Sequence, residues 1–315
     1  MMVVVTGAAG YIGGEIALLL QDAGHTVIGI DRRPCPAHLK DVFGEFVQAD
    51  FDSDEAYRSL IKSQPEAVVH CAGTSLVGPS IKYPSDYYHN NVVKTLNLLN
   101  IMHSALPRTR LIFSSSAAVY GEPIMNPCHE VDPKEPVSPY GESKLMIEQI
   151  LESYHRAYGL DYVAFRYFNA CGADSQGRHG QEPGATHIIA RVLESIRDGQ
   201  EFVLNGIDYP TPDGTCVRDY VHVEDIARAH VLALDRRVEP GVYNLGTSQG
   251  ISNREIIDTA QQVTGSAVVI RVGDRRPGDP PMLTAGADKF NRYTTEWRKY
   301  NLDDIIGHAW AWYKQ

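Results

Sequence analysis

Tyr140 and Lys144 stand four residues apart in the run Ser138-Pro139-Tyr140-Gly141-Glu142-Ser143-Lys144, ahead of apolar residues at Met146, Ile147, Ile150 and Leu151. That spacing predicts a helix with both side chains on one face. An ammonium beside a phenol favours the phenolate and lowers the tyrosine pKa from its usual value of about 10. A tyrosine so tuned takes a proton from an alcohol and returns it. Alone the pair is a weak signal, because most such pairs on helices are solvated surface residues. A third hydroxyl group strengthens it. The apolar run Arg110-Leu111-Ile112-Phe113 reads as a strand that delivers Ser114-Ser115-Ser116 at its C-terminal end. Ligands of open α/β sheets lie beyond that end, so Ser116 is placed to bridge Tyr140 and a substrate oxygen.

These residues need a sheet to position them, and the N-terminus supplies its first strand. Val3-Val4-Val5 stops at a turn with glycines at Gly7, Gly10 and Gly13, followed by a helical pattern through Ile16, Leu19 and Leu20. Strand, glycine turn and helix in that order predict a dinucleotide site, with the pyrophosphate at the helix N-terminus. The next strand, Thr26–Ile30, ends at Asp31, where an acid binds the adenine ribose hydroxyls and disfavours a 2′-phosphate; the expected cofactor is NAD. Arg32 and Arg33 pull the other way, toward NADP. Strands are expected over 46–50, 67–73 and 162–168, with helices over 53–62 and 84–104. The expected fold is therefore α/β, a Rossmann-type doubly wound parallel sheet with a smaller, interleaved α/β substrate lobe. Residues 1–169, joined again by parts of 215–246, form the first domain, and 170–315 the second. A Gly-rich stretch, 174–185, reads as a mobile loop, and Ser252 with Glu255 as a capping box opening a helix.

Composition narrows the partners. The chain has 315 residues, 43% hydrophobic and 22% charged, and a net charge of -10, which argues against nucleic acid. No apolar run is long enough to span a bilayer, and the first residues pass into a strand rather than a signal peptide. Cys35, Cys71, Cys128, Cys171 and Cys216 form no Cys-x-x-Cys pattern, which fits reduced thiols in the cytoplasm. No His or Cys spacing predicts a metal site.

The glycine turn, the strand-end serines and the Tyr140/Lys144 pair resemble the extended short-chain dehydrogenase/reductase family. Phe113-Ser114-Ser115-Ser116-Ala117-Ala118-Val119-Tyr120-Gly121, Arg166-Tyr167-Phe168-Asn169 and the run Asp208 to Tyr220 narrow the resemblance to its UDP-glucose 4-epimerase branch, over nearly the whole chain. The resemblance implies bound NAD that is reduced and reoxidised within one turnover. Tyr140 would act as acid/base, Lys144 would hold the nicotinamide ribose, and Ser116 would bind the sugar 4-oxygen. It places Gly7, Gly10, Tyr11, Ile12, Gly13, Asp31, Arg32, Asp50, Phe51, Cys71, Ala72, Gly73, Asn91, Ser114, Tyr140, Lys144 and Phe168 around NAD. The substrate would meet Ser116, Tyr140, Asn169, His187, Asn205, Arg218, Arg276 and Asp279, with the two arginines on the pyrophosphate. A homodimer through the Tyr140 helix and the 84–104 helix is also implied.

The chain departs from the branch at three positions. Ser75 stands where a lysine is common, Asn205 where the uracil pocket is often aromatic, and Leu283 at the gate on sugar size. These departures keep UDP-xylose/arabinose and UDP-GlcNAc/GalNAc open beside UDP-glucose/UDP-galactose. Dehydration is disfavoured, because Ser115, Ala117 and Ala118 stand where a dehydratase carries an Asp-Glu pair. A nucleotide-sugar 4-ketoreductase using NADPH and a Rossmann redox sensor are the remaining alternatives; the second has no use for Tyr140, Lys144 and Ser116 together.

Overall fold

The β-branched runs near the N-terminus become the centre of a sheet. In the computed structural model, which describes residues 1–275 and 279–315, seven strands build it: β1 (Met2–Thr6), β2 (Thr26–Asp31), β3 (Glu45–Gln48), β4 (Ala67–His70), β5 (Arg110–Ser116), β6 (Tyr162–Tyr167) and β7 (Gly241–Leu245). Their order is β7-β6-β5-β4-β1-β2-β3, and the pairings from β3 through β6 are parallel. Strand order reverses between β1 and β4, the switch point at which doubly wound sheets bind ligands. Both faces are covered, so β1, β4 and β6 are apolar almost throughout rather than alternating.

Four helices of this unit matter for the site: α1 (Tyr11–Asp22), α2 (Asp54–Ser63), α3 (Lys94–Ala105) and α4 (Pro139–Tyr158). Helix α4 starts where its sequence says it should. The Ser138 side chain accepts from the Gly141 N–H, Pro139 occupies the first turn, and Gly159 ends the helix at φ 72°. Ile147 and Leu151 then join Leu98, Leu99, Leu111 and Phe113 in one buried cluster, which presses α4 onto β5.

The expected long helix over 84–104 is interrupted. Pro84–Tyr87 and α3 flank a π-helical segment, Tyr88–Val93. Asn91 sits in it, fully engaged: Oδ1 accepts from the Thr74 N–H at 2.7 Å, and Nδ2 donates to the Thr74 carbonyl and to Ser143 Oγ. A π-segment inserts one residue per turn and re-aims a side chain, here Asn91.

Two units divide the chain. Met1–Gly121, Pro133–Tyr167 and Ala227–Tyr243 form the first; Glu122–Asp132, Phe168–Ile226 and Asn244–Gln315 form the second. In the second unit, parallel pairs join Asn169–Cys171 to Tyr220–His222 and Phe202–Asn205 to Ile270–Gly273. Val217–Arg218 lies between Ile251–Ser252 and Met282–Leu283. Its core gathers Ile189, Leu193, Phe202, Ile256, Ile257 and Ile306 from helices and strand. The Ser252/Glu255 capping box is present. The stretch 174–185 carries no helix or strand, and its residues 174–180 fold into a turn. Asp174 is buried, accepts from the Gln176 and Arg178 N–H groups, and ion-pairs with the Arg178 guanidinium at 2.6 Å.

Candidate active site

The glycine turn is built to bring backbone close to something. A Cβ on Gly7, which has φ +73°, would lie 2.7 Å from the Ala72 nitrogen, and one on Gly13 would lie 2.2 Å from the Gly7 carbonyl oxygen. Only glycine fits at either place. Gly10 caps α1 with no side chain accepting its N–H groups, and the first turn, with Tyr11 and Ile12, carries no acid. That combination suits an anion at the helix N-terminus. Asp31 ends β2, 7% exposed, with one carboxylate oxygen on the Ala9 N–H at 3.0 Å and the other on the Arg33 N–H at 2.9 Å. Arg33 also reaches the same carboxylate with its guanidinium, whereas Arg32 is exposed.

Beyond β3, Asp50 accepts from Lys94 at 2.6 Å. Burial pushes its carboxyl up, but the Lys94 bond and charge outweigh this and hold it below the ordinary value. Lys94 is absent from the residues the motifs named, and nothing in its neighbourhood of the sequence marks it. Phe51 packs edge-on to His70 with ring centroids 4.8 Å apart. His70 bridges Thr6 and Thr95, and burial, aided by the Lys144 charge, drops its pKa to about 3, so it stays neutral. Cys71 accepts from Ser114 Oγ, and burial pushes its thiol up to about 11. It is no thiolate nucleophile at neutral pH. Gly73 lies against Asn91 Oδ1.

Tyr140, Lys144 and Ser116 stand together at the C-terminal end of β5. The Lys144 Nζ lies 5.9 Å from the Tyr140 ring centroid and 4.8 Å from that of Phe113, and donates to the Ser114 carbonyl at 2.8 Å. Burial pulls the Lys144 ammonium down to about 8, against the pull of Cys71 and Glu148. Tyr140 is hydrogen-bonded by Ser116 and packs edge-on to the buried Tyr87. Its phenol is raised above the ordinary value, not lowered. Burial outweighs the Ser116 bond, which corrects the expectation that Lys144 would dominate. Ser114 completes a buried chain through Tyr167 to His230, each step 2.8 Å. Ser143, one residue before Lys144, donates to the Tyr140 carbonyl and holds Asn91. Its position beside the pair was the only signal for it.

In the second unit, Arg218 is buried and ion-paired with Asp279. The strand register sets Leu283 beside Arg218. Asn169 pairs with Tyr220 across the short sheet and hydrogen-bonds its hydroxyl, and the buried Phe168 donates its N–H to Leu245 at 3.1 Å. Asn205 lies opposite Gly273, where a Cβ would come within 3.0 Å of its Oδ1. His187 is the exposed N-cap of the helix Ile188–Asp198. Ser75, in the first unit, is exposed. Arg276 lies outside the described residues.

A parallel sheet with a glycine cradle at its switch point and a Ser-Tyr-Lys group one strand away defines a nucleotide-dependent redox enzyme of the extended short-chain class. Residues 3–246 match the family described as NAD dependent epimerase/dehydratase, and the chain belongs to that family. It is 40% identical to the UDP-glucose 4-epimerase of Halalkalibacterium halodurans, over 100% of this chain and 96% of that protein. With the UDP-glucose 4-epimerase of Azospirillum brasilense the identity is 42%, over 98% and 91%. The crystal structure of the UDP-glucose-4-epimerase from Stenotrophomonas maltophila, with bound NAD and formylated UDP-arabinopyranose, superposes with a TM-score of 0.93 at 35% identity, covering 100% of this chain and 98% of that one.

Proposed function

We propose that this protein interconverts UDP-glucose and UDP-galactose by NAD-dependent inversion at C4. The observation that carries the reading is the Ser116-Tyr140-Lys144 group at the sheet's C-terminal edge, in a chain alike over its whole length to proteins named UDP-glucose 4-epimerase. The glycine cradle and Asp31 fit NAD, since the missing side chains at Gly7 and Gly13 let the turn, the chain just after β4 and the start of α1 pack backbone on backbone, which leaves the N–H groups of the α1 N-terminus open to a pyrophosphate. Gly7, Gly10 and Gly13 would lie against the pyrophosphate, Asp31 on the adenine ribose, and Lys144 on the nicotinamide ribose. When bound, NAD accepts a hydride and gives it back, and its cationic ring favours phenolate where burial alone does not.

Tyr140 takes the proton of the sugar 4-hydroxyl as the C4 hydride leaves, and returns it when the hydride comes back to the other face. Ser116, bonded to Tyr140, orients the 4-oxygen. Lys144, cationic at neutral pH and anchored on the Ser114 carbonyl, holds the nicotinamide ribose beside Tyr140. The UDP is held by Asn169, His187, Asn205, Arg218, Arg276 and Asp279. Leu283 at the size gate is neither bulky nor very small, so N-acetylated hexoses and pentoses enter the substrate test beside UDP-galactose. Incubation with UDP-galactose, UDP-GlcNAc and UDP-xylose, followed by the anomeric proton signals, tests the substrate; conversion of UDP-GlcNAc alone would displace the UDP-glucose reading.

The partner is a second copy of the chain. Val93, in the π-helical segment before α3, and Met146 and Tyr158 on α4 expose apolar surface beside an apolar groove lined by Val92, Leu96, Ile150 and Tyr154. Two such pairs of helices would close into a four-helix bundle. All five cysteines are free thiols, which suits a reducing cytoplasm. No described helix is long and apolar enough to cross a membrane.

A further inference from the structure

We infer that Glu148 and Arg166 are positioning residues, a buried ion pair that fixes the catalytic helix against the strand-end serines and thereby sets where Lys144 and Ser116 stand. The inference rests on the 4-epimerase reading for its activity readout only. Glu148 follows Lys144 by four residues and Tyr140 by eight, so all three lie on one stripe of α4. Its side chain is 4% exposed and that of Arg166 3%. Buried charges persist only when fully paired, and this pair is. One Glu148 oxygen accepts from Ser115 Oγ at 2.5 Å and from Arg166 Nε at 3.0 Å; the other accepts from Arg166 Nη2 at 2.6 Å. Arg166 Nη1 donates to the Tyr120 hydroxyl at 2.8 Å, and the guanidinium stacks 4.9 Å over that ring.

The connections surround the reacting group without touching it. Ser115 is the register partner of Arg166 and sits between Ser114, whose carbonyl takes the Lys144 proton donor, and Ser116. Tyr120 ends the turn Ala117–Tyr120, which Ser116 itself caps by accepting from the Ala118 N–H. The ion pair therefore ties helix, strand and turn on both sides of Ser116. A well-packed apolar pair would give comparable stability, but it would not dictate one register of helix on strand.

Glu148 also faces Lys144 electrically. The other groups around that ammonium are Tyr140 on its own helix, His70 from β4 and Cys71 just after it, and the Phe113 ring and Ser114 carbonyl from β5. Glu148 is the carboxylate among them, and it favours the charged lysine.

The test uses the full-length protein and two variants, Glu148→Gln and the double replacement Glu148→Leu with Arg166→Met. Three quantities are read: kcat and KM for UDP-galactose, the melting temperature, and the Lys144 titration midpoint by NMR of 13Cε-lysine protein, assigned with Lys144→Met. Glu148→Gln is expected to lower kcat about 100-fold, the loss that follows from a misplacement of about 1 Å, with KM nearly unchanged. It should also move the Lys144 midpoint downward, because Arg166 remains without its carboxylate. The apolar double variant should keep its melting temperature and still lose kcat. A double variant with wild-type melting temperature and wild-type kcat would overturn the inference. So would Glu148→Gln with an unmoved Lys144 midpoint. That midpoint needs neither substrate nor turnover, so it decides the role of the pair even if the wild-type protein epimerises nothing.

Discussion

Gly13→Ala tests the cofactor cradle with one methyl group. The added Cβ would lie 2.2 Å from the Gly7 carbonyl oxygen and 2.9 Å from its carbon, both backbone atoms. Neither can turn aside as a flexible side chain would, so α1 must move by about 1 Å relative to the turn, in an interior that has no slack. Overpacking of this kind costs about 1–3 kcal/mol. The free protein relieves it by shifting the helix, and binding NAD has to reverse that shift. At about 1.4 kcal/mol for each tenfold change, NAD affinity falls by about 5- to 140-fold. The measurement is NAD released by acid from purified protein, per chain, beside a melting curve with and without added NAD. The expected variant is folded, purifies with little NAD, and gains melting temperature when NAD is added. A Gly13→Ala protein carrying the wild-type content of NAD, with unchanged melting temperature, would refute the reasoning.

Tyr140→Phe keeps the ring against Tyr87 and removes only the hydroxyl that Ser116 meets. NAD content should stay the same while kcat falls about 10²- to 10⁴-fold, the usual worth of a general acid/base; an active variant would remove Tyr140 from the mechanism. Activity should decline as pH rises through about 8, where Lys144 loses its proton. The sign for stability is opposite. Lys144 is lowered from 10.5 in the unfolded chain, so its contribution to stability grows as pH rises from about 8 toward 10.5. A fall in activity that merely tracked unfolding would contradict this separation. Sedimentation should give a dimer, and Met146→Glu on the exposed face of α4, 41% open in the single chain, should shift it to monomer; an unaltered dimer would place the interface elsewhere.

Much of the architecture was legible because it rests on local signals. The valines of β1, the spaced glycines and the cap at Ser138 each report on their immediate neighbours, and so does the Tyr140/Lys144 spacing. What escaped the sequence depends on burial and on contacts between distant residues. The Tyr140 shift changed direction because desolvation, invisible in a four-residue spacing, outweighs the expected effect of the lysine. The π-segment at Asn91 is set by Thr74 and Ser143, 17 and 52 residues away. Lys94 and Asp50 are 44 apart, and no motif joins them. Glu148 reads in sequence as an ordinary helix residue. Its meaning comes from Arg166 and Ser115, which only the packing of α4 on β5 and β6 brings to it.

The central claim is that the C4–H bond is broken and remade at the same carbon, with Tyr140 moving only the hydroxyl proton. Incubating the purified protein with UDP-glucose deuterated at C4, without added cofactor, tests it directly. The account predicts UDP-galactose that keeps its deuterium at C4 and leaves no label in the water. Product whose C4 position has exchanged with solvent would contradict it.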